Sequence, residues 1–70
     1  MTKKDNMERL ILGIIDEDEI PCHEILKRFE RRGIPMIYDT LAKYLKMMTE
    51  EHKVKREAKG RPWQFYYRLA

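Results

Sequence analysis

One cysteine, one tryptophan, three glycines and three prolines in 70 residues leave several protein classes without support. Cys22 alone permits no internal disulfide, which excludes a disulfide scaffold and points to a reducing, cytoplasmic setting. No apolar run approaches the ~18–20 residues of a membrane-spanning helix. The opening MTKKDNMERL lacks the apolar stretch of a secretory signal. There is no paired-carboxylate pocket, no phosphate-cradling glycine loop and no Ser/His/Asp set, so an enzyme is not expected. Cys22, His23 and His52 fit no common structural zinc spacing, and neither metal nor cofactor is expected. With no repeat, linker or low-complexity segment, residues 1–70 read as one domain with one small core.

What is present is charge, unevenly placed. Residues 1–26 carry three basic against seven acidic side chains, a net of −4, while residues 27–70 carry twelve against five, a net of +7. A basic C-terminal two thirds favours a polyanionic partner over mere solubility.

Apolar spacing supplies the elements. Met7, Leu10, Ile11, Ile14 and Ile15 step by 3, 1, 3, 1, one stripe of a helix that Asp5 or Asn6 caps and that ends near Ile15 or Asp16. Glu19-Ile20-Pro21 reads as a short extended link. Pro21 opens a second helix over about 22–32, with Cys22, Ile25, Leu26 and Phe29 on its apolar face and Gly33 beyond its end. Pro35 starts a third helix, whose apolar face is Ile37, Leu41, Tyr44, Leu45 and Met48. After His52 the period changes to 2: a strand around Val54, a loop over Ala58–Pro62, and a strand in which Trp63, Phe65, Tyr67 and Leu69 form the buried side. The second and third helices make a helix-turn-helix, and the whole order is an α+β, mainly α, winged helix: three helices, a short strand and a C-terminal β-hairpin wing.

These residues resemble the winged helix-turn-helix superfamily of prokaryotic transcription regulators, in the flavour of the PadR and related small repressors. Leu12-Gly13-Ile14-Ile15 followed by Pro21, and Glu24-Ile25-Leu26-Lys27-Arg28-Phe29, resemble the first two helices of that group. Ile37-Tyr38-Asp39-Thr40-Leu41 resembles its recognition-helix pattern. Gly60-Arg61-Pro62 and Tyr66-Tyr67-Arg68-Leu69 resemble its wing tip and returning strand. Three features depart from it: Asp39 is acidic on the outward face, His52 stands where glycine is common, and the helix through which many such repressors dimerise has no counterpart here.

The resemblance implies a transcription regulator on double-stranded DNA, cytoplasmic and nucleoid-associated, with a homodimer needed for palindromic sites. Met36, Thr40, Lys43 and Lys46 are placed for the major groove, where Asp39 either accepts from cytosine N4 or repels phosphate. Lys55, Arg56, Lys59, Arg61 and Arg68, with Lys53, make the wing basic, although such residues also deter edge-to-edge aggregation. Alternation assigns Trp63, Phe65 and Tyr67 to the core rather than to a base-stacking platform, leaving Tyr66 as the stacking candidate. Tyr38 is either buried or offers its hydroxyl to a phosphate. The alternative function is a protein-interaction module, for which Asp39, Glu50 and an exposed methionine pair, Met36 and Met47, speak.

Overall fold

The computed structural model describes residues 2–61 and 63–70. Its elements run α1 (Lys3–Ile15), β1 (Ile20–Pro21), α2 (Cys22–Arg31), α3 (Tyr38–Glu50), β2 (Val54–Lys59) and β3 (Gln64–Leu69). The strands form an antiparallel sheet in the order β1-β3-β2. This is the winged helix expected from the order of periodicities.

Helix α1 begins earlier than expected. Thr2, not Asp5 or Asn6, is its N-cap: the Asp5 N–H donates to Thr2 Oγ1 at 3.2 Å while the Thr2 N–H donates to Asp5 Oδ2 at 3.4 Å. Two helix-end donors are thereby satisfied reciprocally. At its other end the Asp18 N–H donates to the Ile15 carbonyl at 3.0 Å, closing a tight turn whose first central residue, Asp16, has φ 49° and ψ −125°.

Helices α2 and α3 end alike. The Gly33 and Ile34 N–H groups donate to the carbonyls of Glu30 and Phe29, and the His52 and Lys53 N–H groups to those of Thr49 and Met48. Both are Schellman motifs, with Gly33 (φ 71°) and His52 (φ 60°) in the left-handed position. The histidine in place of glycine therefore occupies a conformation glycine adopts without cost.

The third helix starts at Tyr38 rather than Pro35, with Ile37 as an extended N-cap at φ −100° and ψ 138°. Residues 34–37 are outside any helix or strand and their burial alternates: Ile34 and Met36 pack against the core while Pro35 and Ile37 are exposed. Ile37, expected on the apolar face, is consequently 70% exposed. Trp63 also leaves its expected place. The strand begins at Gln64, so Trp63 precedes the alternation and is 65% exposed, while Leu69 is only half covered.

The core comprises Ile11, Ile14, Ile15, Ile20, Ile25, Phe29, Leu41, Leu45, Met48, Val54 and Tyr67. Glu8 is buried beside it, because it stands three and seven residues before Ile11 and Ile15 on the same helical stripe. Lys53 Nζ donates to Glu8 Oε2 at 2.5 Å and lies 2.9 Å from Glu51 Oε2, and Lys4 Nζ donates to Glu51 Oε1 at 2.6 Å. This network ties α1 to the junction of α3 and β2.

Candidate nucleic-acid interface

On α3, the face opposite Leu41, Leu45 and Met48 carries Asp39, Lys43, Lys46 and Glu50, all exposed. The two lysines have no ion-pair partner among the described residues. Thr40 is half-buried at the margin of this face, and Met36 packs against the core from the preceding turn.

The wing divides its basic residues between two faces. The register pairs Lys55 with Arg68, Glu57 with Tyr66 and Lys59 with Gln64 on the outer side, and Val54 with Leu69, Arg56 with Tyr67 and Ala58 with Phe65 on the inner side. Arg56 therefore points inward, its guanidinium carbon 4.2 Å from the centroid of the Phe65 ring. That is a cation–π contact rather than a free cation. Lys59 donates to Glu19 and lies 5.0 Å from the Tyr66 ring centroid, and Arg68 Nε is 3.6 Å from Glu19 Oε2. Glu19 holds the Lys59 ammonium above its ordinary pKa through that hydrogen bond.

Among the described residues Lys55 and Arg61 have no carboxylate partner, as is true of Lys43 and Lys46. The structure thus sorts the sequence's candidates: Lys43, Lys46, Lys55 and Arg61 stand free, Lys59 and Arg68 are held by one carboxylate, Arg56 is stacked on an aromatic ring, and Met36 is packed inward. Lys53 is occupied by Glu8 and Glu51, whose hydrogen bonds drive its pKa upward.

The acidic run after α1, Asp16–Glu19, engages other elements. Arg28 Nη1 donates to the Ile14 carbonyl at 3.1 Å and to Asp18 Oδ2 at 2.9 Å, while Glu19 reaches the wing. Sequence spacing gave no sign of either pairing, because both partners lie in other elements.

Between the first turns of α2 and α3 and the inner side of the wing lies a cleft of about 210 Å³, lined by Cys22, His23, Tyr38, Trp63, Gln64, Phe65 and Tyr67. Trp63 and Phe65 pack with ring centroids 5.0 Å apart at 53°. Tyr38 is 52% exposed, and its hydroxyl is raised in pKa chiefly by the neighbouring Cys22 and then by burial. Cys22 is half-buried; burial pushes its thiol up, and a hydrogen bond with Tyr38 opposes this.

No protein-family model matches the chain, and no curated protein does. Among solved structures, the crystal structure of a PadR family transcription regulator from hypervirulent Clostridium difficile R20291 is similar, with a TM-score of 0.83 and 22% identity over 91% of this chain and 71% of that one. A likeness at this identity establishes the shared winged-helix fold.

Proposed function

We propose that the protein is a small cytoplasmic regulator of prokaryotic type that occupies duplex DNA through α3 and the wing. The observation that carries this reading is the set of free cations: Lys43 and Lys46 along the outer face of α3, with Lys55 and Arg61 on the wing. In a helix-turn-helix the second helix enters the major groove, which places Lys43, Lys46 and Thr40 toward base edges or phosphates and Asp39 within reach of a cytosine amine. Lys55 and Arg61 neutralise backbone phosphates, joined by Lys59 and Arg68 when phosphate displaces Glu19. The fold shared with a PadR family transcription regulator supports the same reading. Recognition of a palindrome calls for a homodimer with half-sites about one helical turn apart.

The test is fluorescence anisotropy of a labelled duplex at several salt concentrations. Four neutralised phosphates give a log–log slope of about −3.6, at 0.9 per phosphate. Lys43→Ala with Lys46→Ala flattens that slope by about 1.8. Absence of binding at low salt by folded protein refutes the proposal. It would favour the second reading, a protein-interaction module, for which Asp39 and Glu50 at the ends of the lysine stripe speak.

A further inference from the structure

The cleft between the wing and the first turns of α2 and α3 is a second candidate for ligand binding, and its aromatic lining is unlike the lysine-bearing outer face of α3. No lysine, arginine, aspartate or glutamate lines it. The Arg56 guanidinium sits on the Phe65 ring that forms one wall, so an entering group meets rings with a cation at their margin. Four of the seven lining residues are aromatic, which selects a planar group able to stack. The volume of about 210 Å³ falls below the ~300–1,000 Å³ of pockets that enclose drug-sized ligands, which limits the occupant to a small ring system. His23, the Tyr38 hydroxyl and the Cys22 thiol add hydrogen-bonding groups suited to the edge of a heterocycle.

The exposed rings are also in the wrong state for a core. Trp63 is 65% and Tyr38 52% exposed, and Ile37 beside Tyr38 is 70% exposed. Large apolar side chains clustered at one end of a small domain mark a surface that something covers. Charge complementarity identifies the occupant. Arg56 is stacked on the cleft's Phe65, 4.2 Å from the ring centroid, and Arg61 lies two residues before Trp63, both exposed and without carboxylate partners among the described residues. A planar group entering an aromatic cleft, attached to a polyanion that meets these two cations, is a nucleobase on its strand. Aromatic platforms within cationic grooves are how unstacked bases are held.

We propose that this cleft binds a single unpaired nucleobase, stacked on Trp63 and edged by Tyr38 and His23, so that the protein prefers DNA carrying an unstacked base next to a duplex. The proposal rests on the duplex-binding reading above and names the DNA feature that binding favours. It also accounts for the exposure of the chain's one tryptophan, which alternation alone would bury.

The experiment compares a fully paired duplex with the same duplex carrying one bulged thymine, using anisotropy for affinity and Trp63 emission for contact. Trp63 is the only tryptophan, so its emission reports the cleft alone. The bulged duplex should bind about tenfold more tightly and quench Trp63, since one stacked base contributes a factor of this order or more. Trp63→Ala, at an exposed position outside the core, should remove most of that preference and leave affinity for the paired duplex within about twofold. Equal affinity for the two DNAs with unquenched Trp63 overturns the cleft proposal while duplex binding stands. A bulge preference that survives Trp63→Ala overturns it too, by locating the unpaired base elsewhere. Failure to bind either DNA at low salt refutes the duplex-binding reading and, with it, the cleft proposal.

Discussion

His52→Gly and Gly33→Ala are reciprocal perturbations of one structural motif. Both residues occupy the left-handed position after a helix, at φ 60° and φ 71°, and in both motifs the residue's own N–H and that of the next residue close onto the helix's last turn. A residue bearing Cβ costs about 1–2 kcal/mol in that conformation. Glycine removes this cost and returns about 0.5–1 kcal/mol of it through greater freedom in the unfolded chain. His52→Gly should therefore stabilise by about 0.5–1 kcal/mol. Gly33→Ala should destabilise by about the same amount, because a Cβ at Gly33 meets nothing within 4 Å and only the backbone conformation is penalised. For a domain of this size the shifts are about 2–8 °C in Tm, upward for the first and downward for the second. Thermal unfolding followed by circular dichroism, with urea titration to confirm an unchanged m, measures both. His52→Ala is the control, and it should match wild type closely since alanine gains nothing at positive φ. A His52→Gly protein no more stable than wild type would show that the imidazole, which makes no hydrogen bond among the described residues, does more there than occupy a strained position.

Asp16 presents a related case: at φ 49° and ψ −125° it holds the first central position of a turn that favours glycine, so Asp16→Gly should raise stability by about 1 kcal/mol, read from the urea midpoint. A lowered midpoint would contradict this. Glu19→Gln should steepen the salt dependence of DNA binding by up to about 1.8, as Lys59 and Arg68 become free for phosphate; an unchanged slope would mean that neither residue reaches the backbone. Glu51 is held below the usual carboxylate pKa by hydrogen bonds from Lys4 and then Lys53. Its contribution is therefore present above the unfolded value and lost as pH falls through the folded one. Glu51→Gln should flatten the decline of Tm between about pH 5 and pH 3, and an identical acid limb would refute the linkage.

The helices and the wing were legible because their apolar residues keep strict periods and because Pro21 and Gly33 punctuate them. The start of α3 was less so. Pro35 suits a first helical turn, and only the alternating burial of Ile34 and Met36 against Pro35 and Ile37 sets the segment apart from the helix. Trp63 misled for the opposite reason: it continues the alternation of Phe65 and Tyr67 by one step, but the strand stops at Gln64 and the ring falls outside the sheet. In the candidate interface, Lys43 and Lys46 could be placed from helical spacing alone. The state of Arg56, Lys59 and Arg68 could not, since it depends on strand register and on Glu19, some forty residues away from Lys59 in sequence.

The charge asymmetry of the chain acquires a structural meaning from those pairings. The acidic first third is not a separate surface that repels a polyanion. Glu8 meets Lys53, Asp18 meets Arg28, Glu24 meets Arg28 and Arg31, and Glu19 meets Lys59 and Arg68, so acidic residues of the first 26 positions engage basic residues of the remainder. Some of these pairs are built into the fold, as Glu8 is buried and Arg28 also holds a backbone carbonyl of α1. Others are more open to solvent, as with Glu19 against the wing, where in the proposed complex Lys59 and Arg68 exchange the carboxylate for a phosphate. Lys43, Lys46, Lys55 and Arg61 stand without carboxylate partners on α3 and the wing, as Lys3, Arg9, Lys27 and Arg32 do elsewhere among the described residues. The aromatic cleft lies against the wing's inner side, with Arg56 stacked on its Phe65 wall. In the proposed complex the free cations of α3 and the wing neutralise phosphates while the cleft stacks one base.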